Sequence, residues 1–326
     1  LQAYSDVVEF ADHSDSWLGN VEPLRGNEGS VRRGSALRAR CGQQRREHGQ
    51  EIASSHNMTP VAAIRPVIHV DACVGDRQFG ITATSSHFSF GAQPFTVLSM
   101  NDETTPSSQL EIRIIPVTPL QQNTSLLWSR ASKEGVFVDP GGETDRLLAV
   151  AAEFDVNVVA VWLTHGHLDH AGAAAEIAER MGVPVIGPHE DDQWLLDSIE
   201  EQGPQYGIAG ARSVTPDRYL HDGDTLELAG IEFGVLHCPG HTPGHVVIYQ
   251  PDARFALVGD VLFRGSIGRT DFPRGDHEQL LESITGKLWP LGDDMHFVPG
   301  HGPVSTFGQE RRDNAFVSDA ALRSGR

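Results

Sequence analysis

The run His165-Gly166-His167-Leu168-Asp169-His170 places three imidazoles and a carboxylate within six residues, directly after the apolar stretch VNVVAVWLT. An uninterrupted apolar stretch of this kind reads as a strand buried on both faces. The cluster is therefore delivered at the C-terminal end of a buried strand, where the chain must leave the core and turn. Side chains alternate along extended backbone, so His165 and His167 can face the same way, and Gly166 is expected to allow a sharp turn between them. Asp169 and His170 fall where the next helix begins and approach from the other side of that turn. One loop can then serve two metal ions.

A metal site needs about four ligands, so this loop leaves vacancies. Downstream, HCPGHTPGH presents His241 after a Pro-Gly turn, LVGD ends an apolar strand with Asp260, and VPGHGP presents His301 in a third turn. All are just past strand ends, where functional groups gather in sheet proteins. Buried imidazoles and carboxylates are costly without a charge partner, so a shared cation explains the whole set better than separate structural roles.

The same patterning organises the rest of the chain. EIRIIPV, TSLLWSR and GVFVDPG read as strands, TDRLLAVAAEF as a helix capped by Thr144, and AGAAAEIAERMG as a helix stopped by Gly182. DTLELAGIEFGVLHCPGH, HVVIYQ and RFALVGD read as further strands, HEQLLESITGKLWPL as a helix, and MHFVPGHG as a last strand and loop. Strands in groups with helices between them predict an α+β fold of two mixed sheets covered by helices.

Residues 1–99 differ. They carry nine Arg, no Lys and ten acidic residues, and most of the segment lacks apolar periodicity. Two readings stand: a disordered extension, or an over-extended gene reading with Met100 as the true start. Neither assigns it a function, and the organised domain is expected to span 100–326. That part holds 16 basic and 34 acidic residues, and the whole chain has a net charge of −19. Such acidity argues against nucleic-acid partners and suits a small-molecule substrate. Only Cys41, Cys73 and Cys238 occur, which suits a reducing compartment. With no apolar run near the roughly 18 residues of a membrane span and no secretory signal at its beginning, the expectation is a soluble cytoplasmic protein without a membrane partner.

THGHLDH, CPGHTPGH, VGD and PGHGP, in this order, resemble the metallo-β-lactamase superfamily, and within it the type II glyoxalase-like (hydroxyacylglutathione hydrolase) branch, in a compact bacterial subgroup. The resemblance covers residues 111 to about 316. It implies a four-layer αββα sandwich with two divalent metal ions at one edge, zinc foremost, with iron or manganese as alternatives. By motif match His165, His167 and His241 hold one metal, Asp169, His170 and His301 the other, and Asp260 bridges them. Asp169 and Asp260 are then the catalytic carboxylates. A hydroxide shared by the two ions is the expected nucleophile on a thioester or related acyl ester, and Asp169 can also accept its proton. His245 and Asp139 are expected to orient ligands by hydrogen bond. Cys238 reads as a small buried residue rather than a nucleophile. His189, His221, His237, His277 and His296 lie outside the motifs and read as structural or surface histidines.

Substrate recognition is less legible. In RGSIGRTDFPRGD, Arg269 matches a basic residue of the glutathione-specific enzymes, but Asp271 stands where they carry a tyrosine. A second tyrosine is missing after His301, and only 25 residues follow that histidine, too few for the family's extra helical domain. Arg269 either binds a substrate carboxylate or pairs with Asp271. The main rival reading is a mononuclear iron persulfide dioxygenase, whose motifs are closely related. A lactonase, an RNA-processing nuclease and a β-lactamase rank behind it, the last because a histidine directly follows Asp169.

Overall fold

The computed structural model describes residues 96–99 and 109–324, all within the Pro66–Arg326 unit of the chain. The reading of residues 1–95 as a low-order extension, and with it Cys41 and Cys73, lies outside the described residues.

The first sheet contains six strands in the order β1-β2-β3-β4-β5-β6: Thr96–Ser99, Leu110–Val117, Gln122–Ser129, Glu134–Val138, Asn157–Trp162 and Val185–Ile186. β1 to β4 pair antiparallel, and β4, β5 and β6 run parallel. β1 precedes Met100, so the sheet draws on residues upstream of the boundary expected at 100. The second sheet takes β7 (Thr225–Leu228), β8 (Ile231–His237), β9 (Val246–Gln250), β10 (Phe255–Gly259), β13 (His296–Pro299) and β14 (Ser305–Thr306), ordered β14-β13-β10-β9-β8-β7. Its only parallel pair is β10 with β13. β11 (Leu262–Phe263) and β12 (Ser266–Ile267) form a small separate hairpin.

Helices α1 (Thr144–Glu153), α2 (Leu168–Ala171), α3 (Ala174–Met181) and α4 (Gln193–Gln202) accompany the first sheet; α5 (His277–Ser283), α6 (Phe307–Asp313) and α7 (Asp319–Ser324) follow the second. Three apolar cores mark the layers. One joins Trp128, Phe137 and Val161 to Leu147, Ile177 and Ile199 of the first helical layer. The next fills the space between the sheets with Ile112, Trp162, Phe233 and Phe255. The third sets Val247, Val258 and Phe297 against Leu280 and Phe307. Helix, sheet, sheet and helix are thus stacked as the αββα sandwich expected, because each sheet has an apolar face on both sides.

Local departures have physical causes. Thr144 is the first residue of α1 rather than its cap: its hydroxyl donates to Glu176 Oε2 at 2.8 Å, while Glu143 takes the cap position in a left-handed conformation. The helix expected over AGAAAEIAERMG begins three residues later, as α3 at Ala174, with α2 a separate turn before it; between them the Ala173 N–H donates to the Pro140 carbonyl. Gly182 ends α3 at φ 68°, as its sequence position implies. Among the described residues no helix is long and apolar enough to cross a membrane.

Candidate metal centre

All seven residues proposed as ligands come together at one edge of the sandwich. The loop after β5 carries His165 and His167, α2 carries Asp169 and His170, the loop between β8 and β9 carries His241, Asp260 directly follows β10, and the loop after β13 carries His301. In the first group, His165 Nε2 and His241 Nε2 each lie 3.0 Å from His167 Nδ1. Hydrogen bonds behind two of these rings fix what faces inward. The Thr164 hydroxyl donates to Asp139 Oδ2 at 2.6 Å, leaving its oxygen to accept from His165 Nδ1–H at 3.1 Å. His241 Nδ1–H donates to the Arg269 carbonyl at 2.7 Å. Both Nε2 lone pairs therefore converge on the same point. Separations near 3 Å match the edge of a coordination shell whose metal–nitrogen bonds are about 2.0 to 2.1 Å.

The second group is charged. His301 Nε2 lies 3.2 Å from Asp169 Oδ2, and His170 Nε2 lies 3.4 Å from Asp260 Oδ1. Asp260 reaches both groups, its Oδ2 being 3.6 Å from His241 Nε2 and 3.7 Å from His301 Nε2. His170 Nε2 and Asp260 Oδ1 are buried and meet the geometry of a hydrogen bond with no protein atom. Two buried polar atoms without hydrogen-bond partners are costly, and a cation between them would satisfy both.

Protonation separates the groups. Burial, reinforced by neighbouring imidazoles, lowers His165 well below its ordinary value and His167 to about 3; burial also lowers His241. These rings are neutral and present lone pairs. Burial opposes charge on His170 and His301 too, but at His170 Asp260 and Asp169, and at His301 Asp260, outweigh it and raise both. Conversely, His170 and His301 hold Asp169 and Asp260 low against their burial. A neutral three-nitrogen pocket beside a pocket of two carboxylates and two imidazoles is a donor set suited to two divalent cations.

The supporting residues are placed as follows. Asp139 Oδ2 accepts from His170 Nδ1–H at 2.9 Å, and its Oδ1 accepts from the Thr164 N–H at 2.7 Å. His245 acts on backbone: its Nε2 accepts the Asp260 N–H at 3.0 Å, and its ring stacks on His165. His301 Nδ1–H donates to the Leu120 carbonyl at 3.1 Å. Gly300 is required by close approach, since a Cβ there would lie 2.0 Å from Asp260 Oδ1.

Two residues with a part in the site carry no sequence signal of it. Asp192 is fully buried between two of the loops: its Oδ2 accepts the Gly166 N–H at 2.9 Å and the Thr242 hydroxyl at 2.7 Å, and its Oδ1 accepts the Gly244 N–H at 2.7 Å. It clamps the His165–His167 loop to the His241 loop. It also revises the role of Gly166, which is not left-handed; a Cβ there would lie 2.9 Å from the Asp192 carbonyl. The second is Asn123, whose Nδ2 donates to the carbonyls of Pro299 and Gly302 at 3.1 and 2.8 Å, anchoring the His301 loop to the first sheet.

At the mouth, the Arg269 guanidinium is paired with Asp271 through two hydrogen bonds of 2.7 and 2.6 Å and lies over the Phe272 ring. Of the two roles open to Arg269, the structure shows the pairing. Both side chains are exposed, and exposed pairs contribute at most about 1 kcal/mol. Asp271→Ala therefore frees the guanidinium, and the KM of an anionic substrate is expected to fall by no more than about fivefold, with kcat unchanged. A rise in KM in steady-state assays would show that Asp271 itself contacts substrate.

Cys238 is fully buried, and burial pushes its thiol up to about 12. It is expected to resist alkylation at pH 8 in the folded protein and to react once unfolded, as read by peptide mass mapping. Rapid labelling of the folded chain at this position would contradict its burial.

Against this geometry, the metallo-beta-lactamase superfamily model matches residues 117–301. Hydroxyacylglutathione hydrolase GloC of Haemophilus influenzae is 47% identical over 64% of this chain and 99% of its own length. The probable metallo-hydrolase YqgX of Bacillus subtilis is 36% identical over 64% of this chain and 99% of its own. Among solved structures, BLEG-1 B3 metallo-beta-lactamase is 35% identical with a TM-score of 0.58, covering 63% of this chain and 99% of that one. TTHA1623 in a di-iron-bound form is 38% identical with a TM-score of 0.57, covering 62% and 98%. ETHE1 from Myxococcus xanthus is 29% identical with a TM-score of 0.53, covering 64% and 84%. The superfamily binds divalent metals, often two. Placed beside the αββα sandwich and its clustered ligand loops, these likenesses establish that the chain belongs to the metallo-beta-lactamase superfamily.

Proposed function

We propose that the protein is a dinuclear metal-dependent hydrolase acting on a small thioester of the hydroxyacylglutathione kind, with zinc as the first choice of metal. The observation that carries this reading is Asp260, one carboxylate in reach of both ligand groups. His165, His167 and His241 would hold one ion, and Asp169, His170 and His301 the other. When bound, the metals supply a water activated near neutral pH and an electrophile for the substrate carbonyl.

The chain's own groups do the rest. Asp169, ionised beside His301, is positioned to take the proton as water attacks. Asp139 holds the His170 ring through Nδ1, and His245 holds the backbone of Asp260. Phe272, whose ring centroid lies 5.3 Å from that of His167, forms an apolar wall for the acyl group. The name of the GloC relative supports a hydroxyacylglutathione substrate, and a small metabolite of this kind fits the cytoplasmic location read from the sequence.

A persulfide dioxygenase using one iron is the second reading, kept by the likeness to ETHE1. The likeness to BLEG-1 adds a β-lactam to the acyl compounds worth assaying. Thiol release from S-D-lactoylglutathione tests the proposal, with oxygen uptake on glutathione persulfide and nitrocefin cleavage followed on the same sample. Thioester turnover exceeding the other two supports the hydrolase. Oxygen consumption without thioester turnover overturns it.

A further inference from the structure

Three histidines outside the motifs, His189, His221 and His237, are separated in sequence by 32 and 16 residues yet meet on the surface. The geometry points to a peripheral divalent transition-metal site formed by His189, Glu190 and His221, distinct from the seven-residue centre. Glu190 Oε2 lies between two ring nitrogens, 2.9 Å from His221 Nε2 and 3.6 Å from His189 Nε2. The two rings are set edge to face with centroids 5.0 Å apart, and one ligand atom from each of the three residues falls within 4.8 Å of the others.

What lies behind the rings points to a metal rather than to a simple ion pair. A metal-binding histidine characteristically donates its other ring N–H to a carboxylate, which fixes the tautomer and raises the basicity of the ligand. A carboxylate lies near Nδ1 of each ring, closer at His189 than at His221, where the same oxygen accepts the His221 backbone N–H at 3.1 Å. Asp191 Oδ2 is 3.4 Å from His189 Nδ1, and Asp224 Oδ2 is 3.7 Å from His221 Nδ1. Without metal, His189 Nδ1 accepts the Asp191 N–H at 3.2 Å. Binding at Nε2 would move the proton to Nδ1 and exchange that bond for one to the Asp191 carboxylate.

His237 does not join the set. Its ring stacks on His189 with the planes 9° apart, and its Nε2 donates to the Pro243 carbonyl at 2.8 Å. It serves as a platform that restricts the His189 ring. Two imidazoles and one carboxylate select zinc, copper or nickel over magnesium or calcium. Glu190 and His221 are about half exposed, which leaves the remaining positions to water.

Occupation has a structural consequence. Glu190 belongs to the same short turn, Glu190–Asp192, as the Asp192 carboxylate that clamps the metal-centre loops. A metal held between Glu190 and His221 therefore braces the base of that clamp.

The test is calorimetric titration of Zn2+ alone into full-length protein whose seven-residue centre has already been loaded, with Mg2+ as the comparison ion. One further Zn2+ per chain is expected, with a rise in Tm, and Mg2+ should produce neither. Both effects should disappear in His221→Ala and in Glu190→Gln, while metal already bound and hydrolytic turnover stay at the wild-type level. No further equivalent in the wild type, or one that persists in both variants, overturns the proposal. Because the readouts are stoichiometry and Tm, the result stands apart from the identity of the substrate.

Discussion

Replacing Asp260 with asparagine is expected to reduce hydrolytic turnover by a factor on the order of 10³ and to reduce bound metal from two ions per chain to at most one. Asparagine has nearly the same shape, so β10 and its packing are retained and the loss reports chemistry. The substitution removes the one charge that faces both ligand groups: Oδ1 toward His170, Oδ2 toward His241 and His301. A correctly held metal supplies several kcal/mol of transition-state stabilisation, and about 4 kcal/mol corresponds to roughly 10³ in rate. The His245 bond to the Asp260 N–H survives, so loop position is not the cause. Metal analysis and steady-state assays on the same preparation check both parts. Wild-type turnover with two bound ions would show that Asp260 does not bridge.

The second large effect concerns a residue that touches no proposed ligand side chain. Asp192→Ala strands the N–H groups of Gly166 and Gly244 and the Thr242 hydroxyl in a buried position. Each unsatisfied buried group costs about 1 to 3 kcal/mol, so with three of them about 3 kcal/mol or more of stability is expected to be lost. For a domain of this size that is a fall in Tm of roughly 10 °C or more. Metal affinity or activity is expected to fall by about 10- to 100-fold, the usual cost of losing a residue that orients ligands.

The pH dependence of Asp192 has a definite sign. Burial pushes its carboxyl up to about 6, against the three hydrogen bonds that pull it down. Between the ordinary value of 3.8 and about 6, the folded chain holds a proton that the unfolded chain has released. The group's stabilising share is therefore full below about pH 4 and falls as pH rises through 6. The stability gap between wild type and Asp192→Asn should narrow by up to about 3 kcal/mol from pH 4 to pH 7. Urea unfolding at the two pH values measures it, and a gap that widens with pH would contradict the assignment.

The sequence made the candidate metal centre legible because its proposed ligands are local or punctuated. His165 to His170 follow an apolar strand that could not be mistaken, and His241, Asp260 and His301 each sit beside Gly or Pro at a strand end. The two mixed sheets were legible for the same reason, through short apolar runs bounded by turns. Asp192 was not, because an acidic residue before QWLLDSIEEQ looks like a helix cap. In the fold it occupies the cap position of α4, makes no cap hydrogen bond, and turns its carboxylate to loops 26 and 52 residues away in sequence.

His189 and His221 were read as ordinary for a related reason, since only the tertiary fold brings them together over Glu190. Arg269 and Asp271 fall between these cases. Two residues apart, they admitted both a structural pair and a substrate contact, and the side chains are seen paired. Nothing in the pattern around Gly172 shows that the helix starts only at Ala174, because the Ala173 N–H is engaged by the distant Pro140 carbonyl.

The most direct test of the dinuclear hydrolase is the metal content of the full-length protein after exhaustive dialysis, which strips exposed sites, measured on the sample assayed for thioester cleavage. Two ions per chain with S-D-lactoylglutathione turnover is the predicted result. A single iron per chain with oxygen uptake on glutathione persulfide, and no thioester cleavage, would contradict it.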